Sequence, residues 1–386
     1  MKKRTTTLLL LCVLTLALVT TAIATPINAT SRLKIVIDLS HGQGPANGNW
    51  TGNKLEALMA DFEGNLTVVK GYDVVWATEI SEAVLADAQF LFLGSVYGKN
   101  LTDHEVDVIV NWFRQGEKTI WVGTDSDYGG YNYIIENTNR VLRAIGSRIR
   151  AEPTSVEDPF SNCASSYRVR ANVTNTADPE VAGIVAGANA TKGVLFHGPT
   201  ILYGFVDGIA VPLETTTVPN VHWVMKTGPS GILVDKDPTI YPPVAHEDGQ
   251  EGSFVIMAVE KYAGPNEDCK IIVTGENPYG GYQPGFSSEY YGYALDGPSL
   301  VMNAVDWGVE VESAADATMS EISQLESTIA AQASEINGLE ADITDLETTI
   351  SGLEADLEGL RSLLYAAIGL AIIAILIGAV GIFRRS

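Results

Sequence analysis

The segment LTDHEVDVIVNWFRQGEKTIWVG, residues 101–123, predicts one helix followed by one buried strand. Thr102 and Glu105 match a capping box, which starts a helix, and the apolar residues after them recur every three or four positions. Gly116 can end that helix, and TIWVG, residues 119–123, is a short apolar run suited to a buried strand. The segment therefore indicates a helix packed against a sheet.

Comparable apolar runs recur through residues 31–310, with helical patterns between them. These runs are KIVIDL (34–39), DVVWAT (73–78), FLFLGS (90–95), GVLFHG (193–198), VHWVMK (221–226), SFVIMAVE (253–260) and KIIVTG (270–275). Strands that alternate with helices predict an α/β fold with a mainly parallel sheet flanked by helices. Roughly 280 residues are ample for a large core, as one domain or as two halves, and we expect residues 31–150 and 151–310 to be the two parts of the head.

Both ends of the chain predict export and membrane anchoring. Residues 1–24 have a basic start and an apolar run that ends on Ala-Ile-Ala, as a signal peptide does, although a retained anchor is an alternative. Residues 363–383 carry no charge and are long enough to cross a bilayer as one helix. Arg384 and Arg385 follow this helix, so residues 384–386 are expected in the cytoplasm and the head outside the cell.

Residues 313–362 predict a coiled-coil stalk. One set of positions seven apart holds isoleucine and leucine, and a second set fills the seam between them: Ile322, Ile329, Ile336, Ile343, Ile350, Leu357 and Leu364, then Leu325, Gln332, Leu339, Leu346, Leu353 and Leu360. Ile at the first position with Leu at the second favours a parallel dimer, with a trimer or tetramer as alternatives. The flanking positions are acidic, so facing helices repel each other across the seam.

Composition and sequons agree with an exported protein. Asn-x-Ser/Thr sequons, which predict glycosylation, occur at Asn28, Asn49, Asn65, Asn100, Asn172 and Asn189. Two cysteines remain after the signal peptide, and we expect Cys163 and Cys269 to form a disulfide, with two buried free thiols as the alternative. A net charge of -23 argues against a nucleic-acid partner.

Four stretches carry a family resemblance: IVIDLSHGQG, FLFLGS, residues 101–123, and NTNRVLRAIGSRI. They resemble the flavodoxin-like domain of the glutamine-amidotransferase-like superfamily, in particular its non-catalytic branch in intraflagellar-transport-like and prokaryotic membrane proteins. The resemblance implies that fold and a tendency to bind or assemble. Catalytic members need a nucleophilic cysteine on a turn, where this chain has Gly123-Thr124-Asp125, so glutaminase activity is not expected. The anchored stalk is similar to archaeal surface proteins.

A repeated motif marks the candidate ligand site. DSDYGGYN (125–132) follows one apolar run, and ENPYGGYQ (276–283) follows another. If the runs are parallel strands, both loops project from one sheet edge, where ligands collect. The residues expected there are Asp38, His41, Asp125, Asp127, Tyr128, Tyr131, Glu276, Asn277, Tyr279 and Tyr282. They suit sugar hydroxyls and rings, or Ca²⁺. Simple turn packing, an internal duplication and coincidence are the alternatives.

A second hypothesis makes the head an enzyme. IVIDLSHGQG also looks like the first ligand strand of zinc-dependent N-acetylmuramoyl amidases, with His41 and Glu56 as zinc ligands. The other histidines do not follow that family's pattern. Ser40 and His41 are not expected to form a catalytic pair, because neighbours in an extended strand point to opposite faces.

The favoured function is therefore binding without catalysis, for which no cofactor is required. The ligand would be a surface glycan, a solute or a protein partner, or the protein would support the envelope or surface layer. The alternative is a metal-dependent hydrolase that acts on envelope polymers through Asp38, His41 and Glu56.

Overall fold

The chain folds into two units in a computed structural model. The units are Met1–Val311, which we call the head, and Glu312–Ser386. The structure describes residues 32–43, 53–130, 132–188, 191–237, 241–280, 285–309 and 314–383, without the side chains of 53–57, 314–327, 330–331, 376 and 378–383. The predicted signal peptide and cytoplasmic tail lie outside these residues.

The head is built on one large sheet. Five of its strands run parallel in the order β2-β1-β3-β4-β16 and three antiparallel strands, β15-β12-β8, extend it. These eight strands are β1 Lys34–Asp38, β2 Asp73–Ala77, β3 Ala88–Leu93, β4 Thr119–Gly123, β8 Val173–Thr174, β12 Val221–Lys226, β15 Val255–Ala263 and β16 Cys269–Thr274. The prediction of a mixed α/β fold with a largely parallel sheet is confirmed.

Smaller sheets carry the remaining described strands. The run GVLFHG was predicted as a strand, and it is one, but it pairs with the strand Arg168–Ala171 outside the large sheet. The strands are β5 Ile149–Ala151, β6 Ser155–Glu157, β7 Arg168–Ala171, β9 Val194–His197, β10 Leu202–Val206, β11 Ile209–Pro212, β13 Gly231–Val234, β14 Glu251–Gly252, β17 Glu289–Tyr290 and β18 Tyr293–Ala294.

Helices cover both faces of the large sheet. The helices of the head are α1 Asn53–Gly64, continued by a π-helical turn Asn65–Val69, then α2 Glu82–Leu85, α3 Asp103–Phe113, α4 Asn132–Ala144 and α5 Gly297–Val309. The second unit has one helix, α6 Ala314–Phe383. The capping box of α3 is present, with Thr102 and Glu105 satisfying each other's backbone amides. Helices α3 and α4 pack on one face, and α1 and α5 on the other.

The strands of the sheet alternate between these two cores. In β4, Ile120 and Val122 join the core under α3 and α4, whereas Trp121 joins the opposite core with Phe92 of β3. All residues of β4 are buried, so this strand is apolar on both sides and shows no alternation of apolar and polar residues. This burial explains why β4 appears in the sequence as a continuous apolar run.

The predicted disulfide is not formed. Cys163 and Cys269 are both buried free thiols. They lie in different apolar clusters, because Cys163 packs with Leu195 and Leu295, whereas the Cys269 thiol lies 3.3 Å from the carbonyl oxygen of Phe113. Burial raises the pKa of each thiol to about 11, which keeps both in the unreactive protonated form.

The C-terminal unit is one long helix, α6. It contains an apolar stretch within Gln332–Ile375 that is long enough to cross a membrane, which is consistent with a single-pass membrane protein. Of the predicted glycosylation sites, Asn100 is exposed and Asn65 and Asn172 are partly exposed. Asn28, Asn49 and Asn189 lie outside the described residues, and glycosylation itself stays a prediction.

Candidate functional site

The crevice between β1 and β3 is where the strand order reverses, and open α/β sheets usually bind ligands there. The side chain of Tyr279 occupies this crevice. Its hydroxyl donates a hydrogen bond to the carbonyl oxygen of Asp38 at 2.7 Å and accepts one from the amide of Gly94 at 3.0 Å. Its ring packs against Phe62 and Phe92, and 1% of the residue is exposed. The second Tyr-Gly-Gly-Tyr loop therefore fills the usual ligand position with protein.

Asp38, His41 and Glu105 form a buried chain of two carboxylates joined by one imidazole. His41 Nδ1 lies 2.7 Å from Asp38 Oδ2, and His41 Nε2 lies 3.4 Å from Glu105 Oε1. Burial would raise the pKa of Glu105, but hydrogen bonds from Thr102 and the neighbouring His41 hold it below its usual value. The ring of His41 is thus held between two acids beneath the surface.

Ser40 does contact His41, contrary to the expectation that their side chains point apart. Ser40 Oγ lies 2.9 Å from His41 Nδ1, because residues 40–42 form a turn and not an extended strand. The same hydroxyl donates to Asp38 Oδ1 at 2.5 Å. His41 Nδ1 needs its proton for Asp38 Oδ2, so it cannot accept the proton of Ser40. The contact does not activate the serine as a nucleophile.

The zinc hypothesis finds no support in this geometry. Both ring nitrogens of His41 face carboxylates, and the residue is fully buried. Glu56 lies on α1, and its side chain is not among those that the structure describes. Among the residues that the structure describes, no three His, Cys, Asp or Glu side chains are grouped to hold a metal ion.

Asp125 and Glu276 form a pair of carboxyl groups at the ends of the adjacent strands β4 and β16. Burial raises the pKa of Asp125 to about 7, against hydrogen bonds from Ser126 that lower it. Burial and the charge of Asp125 raise the pKa of Glu276 well above its usual value. The amide of His197 donates to Glu276 Oε2 at 2.5 Å, and the Tyr97 hydroxyl donates to Asp125 Oδ2. The pair therefore retains a proton near neutral pH, as an acid–base pair must.

The structure brings most of the predicted site residues to one sheet edge. Asn277 joins them, since its Oδ1 accepts a hydrogen bond from the amide of Ser95 after β3. The residues gathered there are Asp38, His41, Asp125, Glu276, Asn277 and Tyr279. Asp127 and Tyr128 instead contact Lys236. Asp127 Oδ2 accepts a hydrogen bond from the Lys236 amide at 2.7 Å, and Lys236 Nζ lies 5.7 Å from the centre of the Tyr128 ring. Tyr131 and Tyr282 lie outside the described residues.

The two Tyr-Gly-Gly-Tyr loops differ in structure despite their shared sequence. Tyr279 is buried in the crevice, whereas Tyr128 is 63% exposed on a short 3₁₀ turn, Tyr128–Gly130. Tyr279 is therefore part of the core, and Tyr128 is part of the surface.

A cluster of tyrosines and arginines lies on the surface beside Glu276. We call it the tyrosine–arginine patch, and its members are Tyr167, Arg168, Arg170, Tyr290, Tyr291 and Tyr293. The guanidinium of Arg168 lies 4.1 Å from the ring centre of Tyr291 and 5.0 Å from that of Tyr167. Arg170 lies 5.5 Å from the ring centre of Tyr293.

The patch is continuous with the acid pair and is open to solvent. Tyr167 packs edge-on against the ring of His197, whose amide binds Glu276. Tyr167, Tyr291 and Tyr293 are 38%, 54% and 37% exposed. In the part of the chain that is described, neither arginine has a carboxylate within ion-pair distance, and the Nε of each is buried without a hydrogen-bond partner.

The tyrosine–arginine patch was not predicted from the sequence, although one stretch of the sequence indicates part of it. In YRVR, residues 167–170, the two arginines alternate with an apolar residue, which places both on one face of a strand. The tyrosines of YYGY, residues 290–293, have only the local pattern of a loop that contains Tyr and Gly. Nothing local connects the two stretches, because about 120 residues separate them.

Fold and site together define an α/β head followed by one candidate membrane helix. Neither a protein-family model nor a curated protein matches the chain. Among solved structures, the mmIFT52 N-terminal domain is 12% identical, with a TM-score of 0.44 over 72% of this chain and 98% of that one. A ThuA-like protein from Bacteroides uniformis is 13% identical, with a TM-score of 0.40 over 75% and 96%.

Proposed function

We propose that this chain is a single-pass cell-surface protein whose head binds an acidic surface glycan without catalysis. The observation that carries the proposal is the tyrosine–arginine patch, where exposed rings surround two arginines without a carboxylate partner in the described part of the chain. The whole chain has a net charge of -23. Unpaired arginines on so acidic a protein are a local reversal of charge, which favours an anionic partner.

The chemistry of the patch suits an acidic sugar. A tyrosine ring offers an apolar face to a sugar ring and a hydroxyl for hydrogen bonds at its edge. A guanidinium holds a carboxylate or sulfate through paired, planar N–H donors. Arg168 lies over the ring of Tyr291 and donates a hydrogen bond to the Tyr167 hydroxyl at 3.0 Å, and the residue stays partly exposed. A uronate or sulfated sugar supplies acceptors for these donors.

The cell-surface placement rests on the sequence and on the candidate membrane helix of α6. Residues 384–386 would lie in the cytoplasm and the head outside, where the sequons, Asn100 among them, would carry glycans. A head that faces the envelope meets acidic polymers directly. The same location would also suit a head that binds a solute or a protein, or one that supports the surface layer.

The stalk would present the head as a parallel dimer. In the single chain, the seam side chains that are described are exposed, with Ile343, Ile350 and Leu346 at 56%, 54% and 62%. A regular apolar seam left open to water on a helix is stabilised by a second copy of that seam. Two heads on one dimer would also bind a repeating polymer more tightly than one head.

A second candidate function, hydrolysis of an envelope polymer, is favoured by the Asp125 and Glu276 pair. One carboxyl group that is protonated near neutral pH beside a second carboxyl group is the arrangement that glycoside hydrolysis uses. This hydrolase would use acid–base catalysis by Asp125 and Glu276, and not the zinc ion that the sequence hypothesis assigned to His41 and Glu56. It also lies next to the patch, through His197.

We expect Arg168→Ala to weaken binding of an oligogalacturonate by about 10- to 100-fold, because a hydrogen bond to a charged group contributes about 1.5–3 kcal/mol. The full-length protein in detergent would be titrated by calorimetry with oligogalacturonate, a sulfated oligosaccharide and uncharged dextran. Binding should weaken as salt is added and should be absent for dextran.

The matched control for that experiment is Arg143→Ala, since Arg143 is an arginine of the head that is already paired with Glu136 at 2.5 Å. It should leave binding unchanged. Equal loss in both variants, or equal binding of dextran, would contradict the proposal. Cleavage products that disappear with Asp125→Asn would instead favour the hydrolase.

For the stalk, we expect Ile343→Cys to form an intermolecular disulfide in oxidising conditions, because seam positions of a parallel dimer face each other closely. Thr348→Cys is the control, since residue 348 lies five positions on and faces away from the seam. Cys163 and Cys269 are buried and should not interfere. Non-reducing electrophoresis of membranes measures the dimer, and equal crosslinking of both variants would count against a dimeric coiled coil.

A further inference from the structure

Three buried side-chain oxygens lack hydrogen-bond partners where the first Tyr-Gly-Gly-Tyr loop meets residues 235–237. They are Asp127 Oδ1, Asn132 Oδ1 and Asp235 Oδ2, and none has a donor within the described part of the chain. The three residues are 1%, 8% and 9% exposed. Leaving a polar atom buried and unsatisfied is costly, and a carboxylate oxygen costs more than a neutral one.

The other atoms of these side chains are held in place by short contacts. Asp127 Oδ2 accepts a hydrogen bond from the amide of Lys236 at 2.7 Å, and Asp235 Oδ1 accepts one from the amide of Asp237 at 2.8 Å. Asn132 Nδ2 donates to Asp237 Oδ2 at 3.4 Å. Each side chain is thus fixed through one atom and presents a second oxygen that no donor reaches in the described structure.

The side chain of Lys236, the residue after Asp235, is directed away from these oxygens. Lys236 Nζ lies 3.1 Å from Glu157 Oε1 and stacks over the ring of Tyr128, so it pairs outside the cluster. The charges of Asp127 and Asp235 lie close enough to repel each other. Asp127 and Asp235 are therefore two neighbouring buried acids whose negative charge is incompletely balanced.

We propose that Asp127, Asn132 and Asp235 form a calcium site that ties the first Tyr-Gly-Gly-Tyr loop to residues 235–237. All three free atoms are oxygens, which suits Ca²⁺ and not Zn²⁺, because zinc prefers nitrogen and sulfur. Two carboxylates and an amide oxygen are fewer ligands than calcium takes, so water completes the shell. Asp237, which is partly exposed beside Asn132, lines the entry from solvent.

The test is calcium binding by the full-length protein after treatment with EDTA. Calorimetry should find one Ca²⁺ per chain, with a dissociation constant on the order of 10⁻⁴ M and weaker binding of Mg²⁺. About 5 mM Ca²⁺ should raise the midpoint of thermal unfolding, followed by tryptophan fluorescence, by roughly 5 °C. All six tryptophans precede residue 312, so the signal reports the head alone.

Variants separate this site from other carboxylates. Asp127→Asn and Asp235→Asn should each weaken calcium binding at least about tenfold, because each removes one charged ligand. Asp207→Asn is the control, since Asp207 is an exposed acid of the same unit, and it should change nothing. Asn132→Asp should do the opposite, lowering stability without calcium and tightening calcium binding. No heat and no change in the unfolding midpoint of the native protein, or equal loss in the Asp207 variant, would overturn the proposal.

Discussion

Replacing Gly280 with alanine is expected to lower the free energy of unfolding of the head by about 3 kcal/mol, from overpacking and backbone strain together. A Cβ at this position would lie 1.9 Å from the carbonyl oxygen of Gln43, which is far inside van der Waals contact. Gly280 also has a φ of +61°, where other residues are strained. The measurement is denaturant unfolding of the full-length protein in detergent, followed by tryptophan fluorescence.

Gly130→Ala is the matched control, because Gly130 belongs to the other Tyr-Gly-Gly-Tyr loop. Its φ of +83° imposes a similar backbone strain, but a Cβ there would meet no atom within 4 Å. We expect a loss of about 1 kcal/mol, from the backbone alone. The difference between the two variants therefore measures how closely the second loop packs against Gln43.

The difference in unfolding free energy between the two variants also bears on the crevice between β1 and β3. Gln43 donates to Asp38 Oδ2 at 2.8 Å and accepts from the amide of His41 at 2.9 Å. A side chain at residue 280 would push this loop away and would disturb the crevice that Tyr279 fills. If the two variants lost equal stability, the second loop would not be packed in the crevice, and the ligand position of the sheet would be open.

The sequence was enough to predict the parallel half of the sheet and its edge. TIWVG and KIIVTG are about 150 residues apart, yet each is followed by a carboxylate and then Tyr-Gly-Gly-Tyr, and β4 and β16 do lie side by side. The antiparallel strands β15 and β12 could not be distinguished from parallel ones. Residues 255–259 of β15 form an unbroken buried apolar run, and such a run carries no information on direction.

The local sequence did not predict which of the two loop tyrosines, Tyr128 or Tyr279, is buried. Tyr128 and Tyr279 have the same local sequence after them, but only Tyr279 finds the carbonyl of Asp38 and the amide of Gly94 within reach. Those partners come from β1 and β3, which are more than 180 residues away along the chain. Burial of a loop tyrosine is decided by such distant neighbours.

The disulfide prediction failed for a related reason. Counting two cysteines in an exported chain says that a bridge is chemically possible, but it says nothing about distance. Cys163 belongs to a small cluster with Leu195 and Leu295, whereas Cys269 begins β16 at the edge of the main core. Only the arrangement of the strands decides whether two such residues meet.

The largest pH effect is expected at His246, which lies between Glu152 and Glu214. Its Nδ1 lies 2.5 Å from Glu152 Oε2, and its Nε2 lies 3.0 Å from Glu214 Oε2. Burial alone would lower the pKa of His246, but the hydrogen bonds and charges of the two glutamates raise it to about 9. Glu152 Oε1 also accepts hydrogen bonds from the amides of Val244, Ala245 and His246, so the pair fixes this segment to the end of β5.

The sign of the effect follows from the fact that folding raises this pKa. A histidine whose pKa is raised on folding stabilises the folded state fully below its unfolded value of about 6.5, and this stability is lost as the pH rises through the folded value. We therefore expect stability to fall by up to about 3 kcal/mol between about pH 6.5 and pH 9, because each tenfold gain in proton affinity on folding corresponds to about 1.4 kcal/mol. Unfolding at a series of pH values measures this slope.

His246→Gln should remove most of that slope and should cost about 3–5 kcal/mol at pH 6.5, because it leaves buried carboxylates without their cation. His222→Gln is the control, since His222 lies 2.7 Å from Asp178 in a pair that keeps about a quarter of each side chain exposed. Exposed pairs contribute about 1 kcal/mol or less, so this variant should stay close to the native protein. The acid pair at Asp125 and Glu276 titrates in both variants, so it cancels in the comparison. If His246→Gln kept the pH dependence of unfolding that the native protein shows, another group would control the loss of stability at alkaline pH. Residues 244–246 would then be held to β5 by the amide hydrogen bonds of Glu152 alone.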